Sequence, residues 1–476
     1  MPWKKKFALG FAALLGLVLL SLVVEHARGR WALARWKARI AAKGEPLTIA
    51  QASPPPVATN GMSLLLGVIS NITIKAPFPP PSAYPGSNDL ECLLKVDHWR
   101  TKPGGYMTWR TLGEQLALSE VALTNGIHAL ERHVHFHADL NYEVGWGLLL
   151  RHLFQLSRFM DALCASALYE LRQGDVDLGV DRLEAAIHCL AIYGAEPLWV
   201  SQMVRSQKAK SVFAATWHAA HTPGLEDVHL WRLQDAWSKQ DFITNVPRAL
   251  SMERVILGNE FAQFRESDKS INQWPVSQAP PARSPGVTKI DLFLDTVAAT
   301  PSQFRTLLYE GVYSPLWQFA WCRHDELRGS ELIEERIEGA RAAIREQSAV
   351  RLKRFGDAYD QADTDEWWPY WSRTPYGFLR YRVSPQKDAF YSSMHRPWMA
   401  QTLRELAVAG LALRRHQLRY QNTPAALGGL VPEFLPAVPR DFMGGTILKY
   451  ELAPARPILR SAEDLFWPQE KTGSDE

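Results

Sequence analysis

The residues best placed to do chemistry are three alternating histidines and an aspartate: His133, His135, His137 and Asp139, in the sequence HVHFHAD. In an extended chain alternate side chains share one face, so three imidazoles would converge there, and imidazole with carboxylate is an ordinary zinc ligand set. The same alternation is also typical of an exposed strand without metal. Because no fourth ligand or paired motif accompanies the pattern, we expect solvated or partly packed histidines and assign no metal or cofactor. These four residues remain the metal-binding candidates.

Other catalytic patterns are missing from the sequence. It contains no GxSxG elbow, HExxH pair, P-loop or strand-associated GxGxxG. The acidic cluster at 360–366 does not have the ligand spacing of an EF-hand, so we expect a solvated turn. The aromatic residues at 367–381 could stack on carbohydrate or peptide, but we favour a junction between helices. No catalytic residue is therefore assigned, and whether the chain is an enzyme stays open, with a non-enzymatic role favoured.

These elements follow an apolar N-terminal run, Phe7–Val24, which has 18 residues and no charge. At 1.5 Å per residue it extends about 27 Å, close to the hydrocarbon thickness of a bilayer. Lys4–Lys6 before it, and Trp31 and Trp36 after it, suit headgroup positions. The run exceeds the core of a signal peptide, and no small-x-small cleavage site follows it. We therefore predict an uncleaved, single-pass transmembrane helix over residues 7–24, with the lipid bilayer as its partner.

The orientation of this helix is less clear, because basic residues flank it on both sides. The count of basic residues after the run favours a cytoplasmic body, whereas a preceding Lys cluster is typical of the signal anchors of exported proteins. Arg28, Arg35 and Arg39 recur at helical spacing, which predicts a basic juxtamembrane helix, to residue 45, lying against anionic headgroups. We favour a protein of the inner (cytoplasmic) membrane whose body is periplasmic or otherwise extracytoplasmic.

The net charge divides unevenly along the chain. The whole sequence has 53 basic and 50 acidic residues, a formal charge of +3. Residues 1–45 hold nine of the basic and two of the acidic residues, so the remainder is slightly acidic. A slightly acidic body is a poor binder of nucleic acid, and we predict no nucleic-acid partner.

The remaining sequence predicts a proline-rich stalk and a mainly α body. Within the stalk, Leu64–Ile74 could form a short strand or an apolar segment packed on the body. Gly174 and Asp175 combine a helix stop with a helix start, as expected of a helical hairpin. The Gly444–Gly445 pair predicts a turn between two short strands. We therefore expect a multi-helix, hairpin-type body with a small C-terminal β element. The predicted units are the anchor and juxtamembrane helix (1–45), the stalk (46–107), a first helical region (108–270), a linker (271–286), a second helical region (287–421) and the C-terminal turn, hairpin and tail (422–476).

The stretch 404–450 carries a family resemblance. A long helix runs into Asn422–Thr423–Pro424, and then follow LGGLVPEFLP (427–436), PRDF (439–442), Gly444–Gly445 and the strand-like ILKY (447–450). This order resembles the segment after the long helix of type II secretion pseudopilins and type IV pilins. The residues themselves predict a one-turn helix, capped by Thr423 with Pro424 first, and a Gly-turned hairpin, and the resemblance covers the same order of elements. It does not extend to fibre assembly, because the methylation motif around Phe7 is absent.

Nearly the whole chain also resembles a group of uncharacterised bacterial single-pass membrane-anchored proteins. The shared features are the apolar anchor, a juxtamembrane helix with Trp36 and Gly44–Glu45, a PPPV stalk at 54–57 and the C-terminal segment. That resemblance implies no known activity. We expect an interaction or structural role in the bacterial envelope, with an unknown protein partner. The alternatives are a membrane-tethered hydrolase, metal-dependent through the histidines, and an accessory subunit of a secretion-type machine.

Overall fold

The computed structural model of the 476-residue chain describes residues 3–55, 59–72, 109–267, 309–352, 393–452, 457–462 and 466–467. Within these residues the protein is mainly helical with small strand pairs near the C-terminus, which confirms the predicted fold class. A helical segment at 309–321, partly π-helical, leads directly into the helix Cys322–Glu346. The helices are α1 (Trp3–Ala42), α2 (Ile49–Ala52), α3 (Met62–Ile69), α4 (Trp109–Arg132), α5 (Arg151–Gln173), α6 (Val176–Ala195), α7 (Trp199–Ala220), α8 (Asp227–Ser238), α9 (Val246–Glu266), α10 (Cys322–Glu346) and α11 (Arg396–Tyr420).

The hairpin predicted at Gly174 joins α5 to α6. Gly174 adopts φ +89°, a left-handed conformation that glycine reaches without strain, and its N–H caps α5 by donating to the carbonyl of Glu170. The Asp175 side chain accepts a hydrogen bond of 3.2 Å from the Leu178 N–H and so starts α6. The two helices pack against each other along their length. Local capping thus explains the tightest helix pair of the body.

The two predicted helical regions, 108–270 and 287–421, share their cores. α11 packs across α7 and α8, and α9 packs along α10, so each region supplies helices to the other. Phe159, Phe213 and Trp237 are fully buried in a cluster that also takes residues from α11. A second cluster unites Phe261 of α9 with Trp317, which precedes α10. No boundary between two independent folding units separates these helices.

Part of the predicted stalk is packed against the body. The Thr48 side chain caps α2 in a reciprocal box with Gln51, and Ile49 of that helix is buried near α9. In α3, Leu65 is fully buried in the main core, beside helices α4 and α5. Residues 46–55 and 59–72 therefore belong to the body and do not extend as a stalk. The rest of that segment from 73 to 107, the linker at 271–286, and the acidic and aromatic clusters at 360–381 lie outside the described residues.

The C-terminal segment folds back onto α11. Strands β1 (Arg440–Asp441) and β2 (Thr446–Ile447) pair antiparallel around Gly445, which has φ +77°, as the Gly-Gly pair predicts. A three-stranded antiparallel sheet follows: β3 (Lys449–Leu452), β4 (Pro457–Arg460) and β5 (Phe466–Trp467). The one-turn helix lies at Leu427–Leu430, three residues later than a Pro424 start would place it. The helix–turn–hairpin order is nevertheless present.

α1 is a single helix of 40 residues. Within the described chain it is the one helix long and apolar enough to cross a membrane, and most of its apolar window is exposed. Residues 25–42 belong to the same helix as the apolar run, so they do not form a separate juxtamembrane helix. Trp36, expected at headgroup level, is only 5 % exposed and packs in the body, whereas Trp31 is 65 % exposed.

Candidate functional site

The histidine-rich segment lies directly after α4 and has no regular secondary structure. Its backbone pairs with the loop before α3: the Gly61 N–H donates to the His135 carbonyl (2.9 Å), and His137 exchanges two hydrogen bonds with the Asn60 side chain. A Cβ on Gly61 would lie 2.6 Å from the His133 Cβ. Glycine at position 61 is therefore what lets this segment approach so closely.

The imidazoles of this segment do not converge on one point. The His135 and His137 rings are 6.5 Å apart between centroids, while His133 packs edge-on against Phe136. Asp139 is exposed. Burial lowers the pKa of His137, helped by the nearby charges of His135 and Arg248. Among the described residues no group of three His, Cys, Asp or Glu side chains is arranged to hold a metal ion.

A second polar group, which sequence reasoning missed, is buried between α5 and α7. Ser201 Oγ donates to Glu196 Oε2 (2.6 Å), and Glu196 Oε1 lies 2.7 Å from His152 Nε2, with all three side chains at most 5 % exposed. In a serine nucleophile triad the histidine must lie between the hydroxyl and the carboxylate. Here the carboxylate lies between them, so this arrangement does not activate the serine. It ties the end of α6 to α5 and α7.

The interface between α1 and α10 combines apolar packing with buried ion pairs. One stripe of α1 is buried at helical spacing, namely Leu22, Glu25, Gly29, Leu33, Trp36 and Ile40. The last three, with Leu47 and Leu327, form a separate apolar cluster. At Gly29 the helices come so close that a Cβ would lie 3.1 Å from the His324 ring. We call this contact the α1–α10 interface.

An ionic network closes the C-terminal end of the α1–α10 interface. Lys43, directly after α1, binds Glu334 (2.9 Å) and Glu338 (3.2 Å), and these hydrogen bonds raise the pKa of Lys43. Glu334 also binds Arg254 of α9, whose side chain is 2 % exposed. Glu45 pairs with Arg254 and with Arg341. A buried arginine that loses its carboxylates becomes an uncompensated buried charge, so this network is costly to open.

A second ionic group lies nearer the apolar end of the interface. Glu326 is fully buried; its Oε1 is 2.6 Å from Lys37 Nζ, and its Oε2 pairs with Arg265 of α9. Although burial alone would lower the pKa of Arg265, the Glu326 carboxylate raises it overall. Toward the N-terminus of both helices, His324 Nε2 lies 3.3 Å from Glu25 Oε2. Charges from α1, α9 and α10 thus meet in pairs along the whole contact.

The sequence of α1 gives a partial indication of this interface. The buried stripe of α1 recurs every three or four residues, but it begins inside the apolar run and alternates with exposed basic residues. The glutamates of α10 look like a solvated face when only neighbours three or four positions away are considered. Glu338 does pair with Arg341 three positions on, but Glu334 and Glu338 also bind Lys43, about 290 positions away in the sequence.

Comparison with family models, with curated proteins and with solved structures finds no match to this chain.

Proposed function

We propose that this chain is a single-pass membrane protein whose helical body binds another protein at the membrane surface, as an interaction or structural component of the cell envelope. In this proposal residues 7–24 cross the inner membrane and the body is extracytoplasmic. The observation that carries the proposal is the continuity of α1, which leaves the apolar run and enters the body as the same helix.

The continuity of α1 would restrict the orientation of the body relative to the membrane. A flexible stalk would let the body rotate freely, which suits an enzyme that meets diffusing substrates. A helix packed along the α1–α10 interface and held by Lys43 and Glu326 would hold the body at one height and one rotation above the bilayer. Preorganisation of this kind lowers the entropic cost of binding a partner that is itself fixed in the membrane.

The compartment can be tested by thiol labelling in intact cells. Cys164, Cys189 and Cys322 are free but buried, and burial raises the pKa of each thiol, so they should resist maleimide. Cys92, the fourth cysteine of the sequence, is replaced by serine in both labelling variants. Ser238→Cys then places one exposed thiol on α8, and Lys6→Cys places one before the apolar run.

With the outer membrane permeabilised, a membrane-impermeant maleimide should label the Ser238→Cys protein before lysis and the Lys6→Cys protein only after lysis. The reverse pattern would place the body in the cytoplasm and contradict the proposal. Equal labelling of both would contradict the membrane span itself.

The binding role can be tested by affinity purification of the full chain from solubilised membranes. We expect one reproducible partner with the wild type and with Trp31→Ala, whose side chain is exposed. Its recovery should fall with Trp36→Ala, which loosens the α1–α10 interface. A clean preparation without a partner, or equal recovery by both variants, would contradict a role that depends on fixed orientation.

A second candidate, an accessory subunit of a secretion-type machine, has one observation in its favour. The C-terminal segment forms the helix, turn and hairpin order that its resemblance to pseudopilins implies, with Tyr450 Oη donating to the Pro424 carbonyl (2.6 Å). Under this candidate the partner in the same purification would be the membrane platform or ATPase of such a machine. Any other partner would count against it.

A further inference from the structure

The helix formed by 309–321 and α10 runs parallel to α1. His26 Nδ1 donates to the Phe319 carbonyl (2.7 Å), and the two rings stack with centroids 4.6 Å apart. Further along, Lys37 reaches Glu326, and Lys43 reaches Glu334. Each contacting pair is separated by about 290 positions in the sequence, so the residue numbers rise in the same direction along both helices. Residues that precede Phe319 therefore extend toward the N-terminal end of α1.

That direction leads toward the predicted membrane span. Phe319 is level with His26, two residues or about 3 Å past Val24, the last residue of the apolar run. The headgroup layer on each side of a bilayer is about 6 Å thick. Val312 lies seven residues before Phe319, about 10 Å further along the helix axis. Tyr313, Leu316 and Trp317 keep right-handed helical backbone angles, so the direction is maintained.

The outer face of this segment is apolar. Among residues 311–321 the exposed positions are Gly311, Val312, Pro315 and Phe319, with Val312 49 % and Phe319 46 % exposed. Between 309 and 322 the sequence has one charged residue, Glu310, and no lysine or arginine. A soluble helix normally turns charged or polar residues outward. Tyrosine and tryptophan, four of which lie between 309 and 321, are typical of the membrane interface.

We propose that the helical segment 309–321 enters the bilayer beside α1 as a second lipid contact of the body. Val312 then lies among the acyl chains, and Phe319 lies at headgroup level in the leaflet that faces the body. We assign lipid as the occupant because the segment runs parallel to α1, whose Val18, Val23 and Val24 are also exposed apolar side chains. The inference rests on the proposed membrane placement of α1.

The test is the membrane depth of single spin labels on the full chain in nanodiscs, again in a Cys92→Ser background. Val312→Cys reports on the proposed contact. Val228→Cys on α8 is the matched control, because that valine is 51 % exposed but lies in the body. Leu19→Cys, at 54 % exposure, reports on the predicted span. Gly311→Cys gives a second position on the same face, where a Cβ meets no atom within 4 Å.

For labels at Val312, Gly311 and Leu19 we expect several-fold more collisions with molecular oxygen than with a water-soluble nickel chelate. The label at Val228 should show the opposite ratio. Water-like values at both Val312 and Gly311, with a lipid-like Leu19, would overturn this inference alone. A water-like Leu19 would overturn the proposed membrane placement as well. Strong spin–spin broadening at Val312 would mean that a second copy of the chain covers the face, and would also overturn the lipid contact.

Discussion

Replacing Trp36 by alanine tests the α1–α10 interface at its apolar centre. Trp36 is 5 % exposed and packs with Leu33, Ile40 and Leu327. Truncating a buried tryptophan to alanine costs about 3–5 kcal/mol. At about 1.4 kcal/mol per factor of ten, the population in which α1 is undocked from α10 should rise about 10²- to 4 × 10³-fold.

Trp31→Ala is the matched control on the same helix. Trp31 is 65 % exposed, and its one described ring contact is with Arg35, whose guanidinium lies 5.3 Å from the ring centroid. An exposed cation–π contact contributes about 0.5–1 kcal/mol. The control should therefore change the undocked population by less than tenfold, although it removes the same side chain from the same helix.

Hydrogen–deuterium exchange of the full chain in nanodiscs measures this difference. With Trp36→Ala, amides of residues 28–42 should exchange about 10²- to 4 × 10³-fold faster, while those of α6 keep their wild-type rates, because opening is local. With Trp31→Ala both regions should stay within tenfold of wild type. Equal acceleration of residues 28–42 by the two variants would refute the reasoning, as would global unfolding that speeds α6 to the same extent.

Three further predictions concern stability, and two of them have a matched control substitution. Burial raises the pKa of Glu253 from 4.5 to about 6, so its folded state prefers the neutral acid, and stability falls as pH rises from about 4.5 to about 6. Glu253→Gln should remove that fall and gain about 2 kcal/mol at pH 8, but little at pH 4, in urea unfolding. Arg254→Met removes a buried arginine from the partly buried carboxylates of Glu45 and Glu334 and should cost about 2–4 kcal/mol in the same assay. Its control, Arg351→Met, breaks an exposed pair and should cost less than about 1 kcal/mol. Gly145→Ala should lower the melting temperature, because Gly145 has φ +63° and a Cβ there would overlap a Glu260 carboxylate oxygen; Gly147→Ala, with its nearest atom at 3.5 Å, should cost much less.

Local signals in the sequence predict the elements whose causes are local. Gly174 and Asp175 end and begin helices through their own backbone angles and hydrogen bonds, and both positions are as expected. The Gly444–Gly445 turn is confirmed for the same reason. For HVHFHAD the sequence leaves a convergent metal site open as the less favoured alternative. The structure places that segment in an irregular loop, with the His135 and His137 rings apart.

The misplaced features all depend on distant partners. Nothing near Trp36 in the sequence shows that Leu327 covers it, so an aromatic residue after an apolar run suggests a headgroup position. Glu334 looks solvated until Lys43 and Arg254 are brought to it. The proline-rich stretch after Ser53 suggests a stalk, although Ile49 and Leu65 on either side of it are core residues. In each case contacts with residues distant in the sequence, and not the local sequence pattern, decide whether the residue is buried.

A distance measured between α1 and the body tests most directly whether the two form one rigid unit. Val24→Cys at the end of the apolar run and Val350→Cys after α10 place labels at positions 47 % and 45 % exposed. Double electron–electron resonance in nanodiscs should give one narrow distance distribution between them, unchanged by Trp31→Ala and broadened by Trp36→Ala. A broad distribution in the otherwise unaltered chain would show a hinge between α1 and the body and would contradict one rigid unit.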